Sequence, residues 1–183
     1  MEVRQEVSEL FSPLWETKNN RYFFLMGGRG AGRSTAGSQW DLSNLLAPQF
    51  FRCAIMRAVS SDIRHSIWKE LVDRIDEQGV KHAEGMHIVD SDMFATYGKN
   101  SIQAHGFKAS SGSLTARLKS LANYSAVDIE EAEEVGESEF RKLDDSLRTT
   151  RAPIRIIFRL NPPPKSHWII QNFFDLEEHP EAQ

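Results

Sequence analysis

The sequence predicts an α/β fold, a mostly parallel central sheet flanked by helices, with an antiparallel hairpin inserted. Three observations predict it. The apolar run Tyr22–Met26 leads straight into the glycine-rich turn Gly27-Gly28-Arg29-Gly30-Ala31-Gly32-Arg33-Ser34-Thr35 and then into a helical segment. Further apolar runs of strand length, at 51–57, 125–129 and 154–160, alternate with stretches of helical periodicity. Two shorter runs, Met93–Tyr97 and Ser101–Gly106, flank Gly98-Lys99-Asn100 as the arms of a hairpin flank its turn.

Taken in order, Val3, Val7, Leu10, Phe11 and Leu14 recur at helical spacing, so the first dozen residues read as an amphipathic helix stopped near Pro13. Trp15 and Arg21 flank the approach to the first strand. Trp15 reads first as core packing; the alternative is a flat shelf, shared with Arg21, on which a nucleotide base stacks. Tyr22–Met26 lacks polar alternation, as a strand covered on both faces does. The turn behind it has the spacing G-x-x-x-x-G-[K/R]-[S/T], between a strand and a helix, which is the P-loop arrangement. Gly27, Gly30 and Gly32 let the backbone curl and point its N–H groups inward, an anion nest at a helix start. The whole run, Gly27, Gly28, Arg29, Gly30, Ala31, Gly32, Arg33, Ser34 and Thr35, is therefore the candidate nucleotide site. Ser34 places a hydroxyl where a phosphate-bound Mg²⁺ sits. Arg33 stands where the usual residue is lysine; it keeps the charge but is longer, planar and forked.

Residues 33–46 follow as a helix that Pro48 closes. Phe51–Arg57 is a second buried strand. Ser60–Gln78 reads as one helix, with Ile63, Ile67, Leu71 and Ile75 on its stripe and Gly79 ending it. The stretch 108–119 is small, polar and basic, a surface loop. Next, Ala126–Ile129 runs into Glu130 and Glu131, the pattern of a Walker B strand. ATP hydrolysis needs one carboxylate for the metal and a second for the attacking water, here Glu130 and Glu131 in that order. Glu133, Glu134, Glu137 and Glu139 read as a solvated acidic face. Asp128 is an awkward residue for a central strand. Ser138 is placed to cap the next helix, which carries Phe140, Leu143 and Leu147. Ile154–Leu160 is the last strand, with Arg155, Ile157 and Arg159 on one face. Asn161 follows at its carboxyl end, where ligands of open α/β sheets bind, and is a candidate γ-phosphate sensor. Ser166–Phe174 closes the series as an amphipathic helix. The architecture is that of a P-loop NTPase of the ASCE type, binding ATP and Mg²⁺.

Composition narrows the rest. The chain has 183 residues, enough for one domain, and a net charge of -4, which argues against a wholly nucleic-acid-binding surface. Cys53 has no partner cysteine, and the six histidines show no ligand spacing. No apolar stretch is long enough to span a membrane.

These pieces together resemble the ATPase (N-terminal motor) domain of the large terminase subunit of tailed bacteriophages. The residues that carry the resemblance are Gly27–Ser34, Arg57, Lys119-Ser120-Leu121, Ile129–Glu134, Leu147-Arg148, Asn161-Pro162-Pro163 and Ser166–Ile169. It spans roughly residues 10–175, and two positions depart from it: Arg33 replaces lysine, and Arg159 stands where the family more often has a small hydroxyl residue. The resemblance implies an ATP-driven motor that packages double-stranded viral DNA into a procapsid. It implies partnership with the portal protein and the small terminase subunit, in the host cytoplasm and transiently at the portal. It further implies a ring of identical subunits when assembled and a monomer in isolation, with Arg117 and Lys119 as candidate cations reaching a neighbour's active site and Arg148 as an alternative. A C-terminal nuclease domain is expected of the family, and residues 1–183 read as the single ATPase domain without it. The alternative is a nucleotide-binding P-loop module with weak hydrolysis that acts in regulation or assembly; a metabolite kinase fits the paired acids less well.

Overall fold

The computed structural model describes residues 6–17, 19–108 and 120–174. Seven strands make one sheet: β1 (Tyr22–Met26), β2 (Arg52–Val59), β3 (Met86–Val89), β4 (Phe94–Tyr97), β5 (Asn100–Lys108), β6 (Ala126–Glu130) and β7 (Arg155–Leu160). Their order is β1-β7-β6-β2-β5-β4-β3. The first five in that order are parallel, and β5, β4 and β3 form an antiparallel meander at the far edge. The expected mostly parallel sheet is thus present, and the hairpin is larger than the sequence suggested. Its extra strand, β3, is only four residues long, too short to show a period.

Among the described residues five α-helices accompany it: α1 (Pro13–Glu16), α2 (Arg33–Leu46), α3 (Ile67–Glu77), α4 (Glu137–Ser146) and α5 (Trp168–Phe173). Strand alternation sorts the core into two clusters. Cys53, Ile55, Ala126 and Ile157 face Trp40 and Leu45 of α2 and Trp68 and Leu71 of α3. Ala54, Met56, Val127, Ile129, Ile156 and Phe158 face Phe140 and Leu143 of α4 and Ile169 of α5. Helices therefore cover both sides of the parallel strands, which is why these strands read as apolar runs rather than alternating ones.

Three sequence expectations are corrected. Residues 1–5 of the expected first helix lie outside the described residues; within 6–12 there is instead a 3-10 turn, Glu9–Phe11, followed by α1, which begins at Pro13 rather than ending near it. Proline suits the first helical position because the N–H it lacks would have no partner there. The long helix after β2 is interrupted: Ser60–Asp62 is a 3-10 turn and α3 starts only at Ile67, while Ile63 and Ile67 are both buried. Before α4 the capping position belongs to Gly136, whose N–H donates to the Glu139 carboxylate at 3.1 Å, and not to Ser138. Among the described residues no helix is long and apolar enough to cross a membrane.

Candidate active site

All parallel strands end on the same edge of the sheet, and the candidate residues gather there. Gly27 follows β1 and donates its N–H to the Leu160 carbonyl of β7 at 3.3 Å, so the glycine turn is stitched to the strand that carries Asn161. Gly30 and Gly32 adopt positive φ of 78° and 79°, the left-handed region that glycine enters without cost. The curl delivers the chain into α2, with Ala36 N–H bonding back to the Gly32 carbonyl at 2.9 Å. The helix N-terminus and its unpaired amides thus face the turn, favouring a phosphate there. Arg33 crosses the edge: its Nη2 donates to Asn161 Oδ1 at 2.9 Å. Asn161 Nδ2 in turn donates to Glu133 Oε1 at 2.6 Å. Glu133 Oε2 is buried with no hydrogen-bond partner. The acid read from sequence as part of a solvated face therefore belongs to the site. Only the contact with Asn161, invisible in sequence, reveals it.

The two acids of β6 are held differently. Glu130 ends the strand with its side chain 13 % exposed, and its Oε2 lies 3.6 Å from Arg57 Nε, ion-pair range but too long for a hydrogen bond. That oxygen is buried and lacks a hydrogen-bond partner. Glu131 is 40 % exposed and pairs closely with Arg57 Nη2. Its φ of 50° is left-handed, unusual for a residue with a Cβ, and turns the chain away from the strand. Arg57, at the same edge on β2, therefore restrains both carboxylates.

Behind these groups lies a buried ionic cluster. Arg159, 2 % exposed, donates through Nε to both Asp128 carboxylate oxygens at 2.9 Å. Its Nη2 pairs with Asp128 as well and reaches Asp41 Oδ2 of α2 at 3.3 Å. Its Nη1 donates to the Ser34 carbonyl at 3.3 Å and to Glu70 Oε2 of α3 at 3.2 Å. Burial alone would lower the arginine's pKa, but the surrounding carboxylates raise it, so Arg159 stays charged. Asp41 is pushed well above the usual carboxylate range by burial and by the Asp128 charge, Arg159 only partly opposing them. Cys53 Sγ donates to Asp41 Oδ1 at 3.6 Å, on the side of the carboxyl away from Arg159. The guanidinium crosses α2 at Gly37, where an added Cβ would land on its central carbon. The awkward Asp128 is thus explained: it lies on the same sheet face as Arg159 of the neighbouring strand. The signal was legible as one acid and one base on adjacent apolar strands.

Trp15 and Arg21 are not brought to the turn. Arg21 precedes β1, at the end opposite the glycines, and its Nε and Nη2 are taken by Asp144 of α4. Trp15 lines a cleft of about 440 Å³ with Trp40, Phe51, Ala126 and Arg155, at the amino ends of β2, β6 and β7. Beside the turn itself lies a smaller cleft of about 280 Å³, between Ser8, Leu10 and Phe11 on one side and Gly30–Gly32 and Gln39 on the other. Size is a poorer guide than chemistry here, since of these two clefts it is the smaller that adjoins the glycine turn. Arg117 and Lys119 lie outside the described residues. Arg148 is exposed after α4 and donates to the Asp145 carbonyl at 3.1 Å. Among the described residues no group of three or more histidine, cysteine or acidic side chains is arranged to hold a metal alone.

Comparisons with known proteins bear on this arrangement. No curated protein matches the chain. Among solved structures it is similar to the large terminase of the thermophilic bacteriophage D6E, at 12% identity and a TM-score of 0.70 over 97% of this chain and 44% of that one. The D6E protein in complex with ADP is similar at 13% identity and a TM-score of 0.69, over 94% of this chain and 43% of that one. The HK97 bacteriophage large terminase gives 10% identity and a TM-score of 0.72, over 97% of this chain and 38% of that one. The chain thus spans less than half the length of these proteins, and at such identities the likeness concerns the fold. The family model described as phage terminase large subunit, however, matches residues 19–183 of the sequence itself. With nine-tenths of its length under that match, the chain belongs to the phage terminase large subunit family.

Proposed function

We propose that this chain is the ATP-hydrolysing motor part of a terminase large subunit, driving double-stranded viral DNA into a procapsid as one of a ring of like subunits. The observation that carries the reading is the bonded path Arg33–Asn161–Glu133, which ties the phosphate-binding turn to the strand and acids beyond it. In this reading the Gly27–Thr35 amides hold the phosphates, with Arg33 and Arg29 supplying positive charge. The nucleoside lies in the cleft beside Phe11 and Gly32. Ser34 and Glu130 fit Mg²⁺: both offer hard oxygen, and Glu130 Oε2 is buried without a hydrogen-bond partner. Two protein donors suit an ion that keeps waters and phosphates as its other ligands; the metal would neutralise phosphate charge. Glu131 takes the proton of the attacking water, and Arg57 sets its position. The procapsid portal, the small subunit and the DNA are partners the family reading supplies.

A second reading, a nucleotide-binding module with weak hydrolysis, is favoured by one feature, the close ion pair that engages Glu131 with Arg57. Turnover of ATP separates the two. Glu131→Gln is expected to keep nucleotide affinity and lose about 10²-fold or more of turnover, the usual worth of a positioned base. Glu133→Gln is expected to lose less. The reverse order would move the base to Glu133, and undiminished hydrolysis in both variants would sink the assignment of either acid.

A further inference from the structure

Ser34 and Glu70 share a partner. The Ser34 carbonyl accepts from Arg159 Nη1 at 3.3 Å, and the same nitrogen donates to Glu70 Oε2 at 3.2 Å. The two side chains line one cleft of about 190 Å³ with Thr35 and Ser38. Glu70 is thus not a solvated acid on the outer face of α3. It stands in one cleft with the Ser34 side chain and is tied to the Ser34 backbone through Arg159.

A serine hydroxyl has one hydrogen and two lone pairs. To ligate a cation it must aim a lone pair at the ion and send its hydrogen elsewhere. An anionic acceptor at a fixed place does this, and makes the oxygen a better donor, as outer partners of metal ligands do.

Resting on the reading of the glycine turn as a nucleotide site, we propose that Glu70 is a metal-positioning residue: it takes the Ser34 hydroxyl hydrogen and turns that oxygen toward the divalent cation of the bound nucleotide. The rival role for Glu70, a counter-ion of Arg159 and nothing more, makes a different prediction. The test is titration of Mn²⁺ into the protein–ADP complex, followed by electron paramagnetic resonance, with ADP affinity measured separately without metal. Glu70→Ala is expected to weaken Mn²⁺ binding by about 10–100-fold while metal-free ADP affinity stays. Glu70→Gln keeps shape and an acceptor for Arg159 but no charge, and is expected to lose less than that, about 3–10-fold. Ser34→Ala should give a similar loss, and adding it to Glu70→Ala should cost little more, because both break one interaction. Parental Mn²⁺ affinity in Glu70→Ala and Glu70→Gln, or losses that add in full to that of Ser34→Ala, would overturn the assignment in favour of the counter-ion. Should Glu70→Ala fail to fold, Glu70→Gln decides alone by the same criterion. A parent protein that binds no ADP overturns the nucleotide reading instead, a separate failure.

Discussion

Gly37→Ala isolates the buried cluster with the smallest possible change. In the middle of a helix the substitution is ordinarily stabilising by roughly 1 kcal/mol, since glycine is the poorer helix former. Here the added methyl would occupy the space of the Arg159 guanidinium. A flexible arginine at a surface would swing aside at little cost, but Arg159 is 2 % exposed and bound to Asp128, Asp41, Glu70 and the Ser34 carbonyl. Its displacement leaves Asp128, 0 % exposed, as an uncompensated buried charge. Breaking such a pair costs about 3–5 kcal/mol, so the net loss expected is about 2–4 kcal/mol. For a chain of this length that lowers the melting temperature by about 5–15 °C. Urea and thermal unfolding of parent and variant measure it. The same substitution in an Arg159→Ala background meets no guanidinium and is expected to be neutral or stabilising, so the cycle of four proteins reports a large coupling. Gly37→Ala as stable as the parent, or equally destabilising in both backgrounds, would refute the claim that Gly37 exists to let Arg159 through.

Two further changes probe the site. Arg33→Ala is expected to abolish ATP binding, read by calorimetry, whereas Arg33→Lys retains hydrolysis because the charge survives; tight ATP binding by Arg33→Ala would remove the turn from the phosphate site. Asp41 binds its proton more tightly folded than unfolded, so its contribution makes stability fall as pH rises above the usual carboxylate range toward its raised folded value. Asp41→Asn, which keeps the shape of the neutral acid, is expected to flatten that fall in urea midpoints measured from pH 4 upward; an unchanged slope would place the proton elsewhere in the cluster.

What the sequence made legible was whatever repeats or is locally complete. β1, the glycine turn and α2 form a contiguous block in which each piece constrains the next, and α2 was read to its observed bounds, Arg33–Leu46. β6 and β7 were visible because burial on both faces leaves them mostly apolar, with Asp128 and Arg159 paired to each other. The losses share a cause as well. β3 has four residues and no period to detect. The break before α3 falls between Ile63 and Ile67, whose four-residue spacing reads the same with or without it. Trp15 packs against the core as first read; the alternative, a shelf for the base shared with Arg21, rested on their nearness in sequence to β1. A strand carries its two ends far apart, and they sit at the wrong one. Glu133 and Glu70 were illegible for the deeper reason that their roles come from partners 28 and 89 residues away, Asn161 and Arg159.

The two arginines that depart from the family resemblance have a single rationale once their partners are known. Lysine at position 33 would offer a point charge to phosphate and nothing planar to Asn161. Arginine can give one N–H to Asn161 and still keep others for phosphate, which the 2.9 Å bond illustrates. In the proposed reading Asn161 is coupled to the nucleotide through Arg33, and it is bonded to the acidic turn through Glu133. Such a relay works only if the strand beneath it does not yield. Arg159, two residues earlier on β7, anchors that strand to β6 through Asp128 and to α2 through Asp41 and Ser34. A small hydroxyl residue at 159 could not span those distances, and the Asp128 and Asp41 acids would have no counter-charge without it. Substituting toward the commoner family residues one at a time therefore breaks a set of interactions that only exist together: Arg33 with Asn161, and Arg159 with Gly37, Asp41 and Asp128.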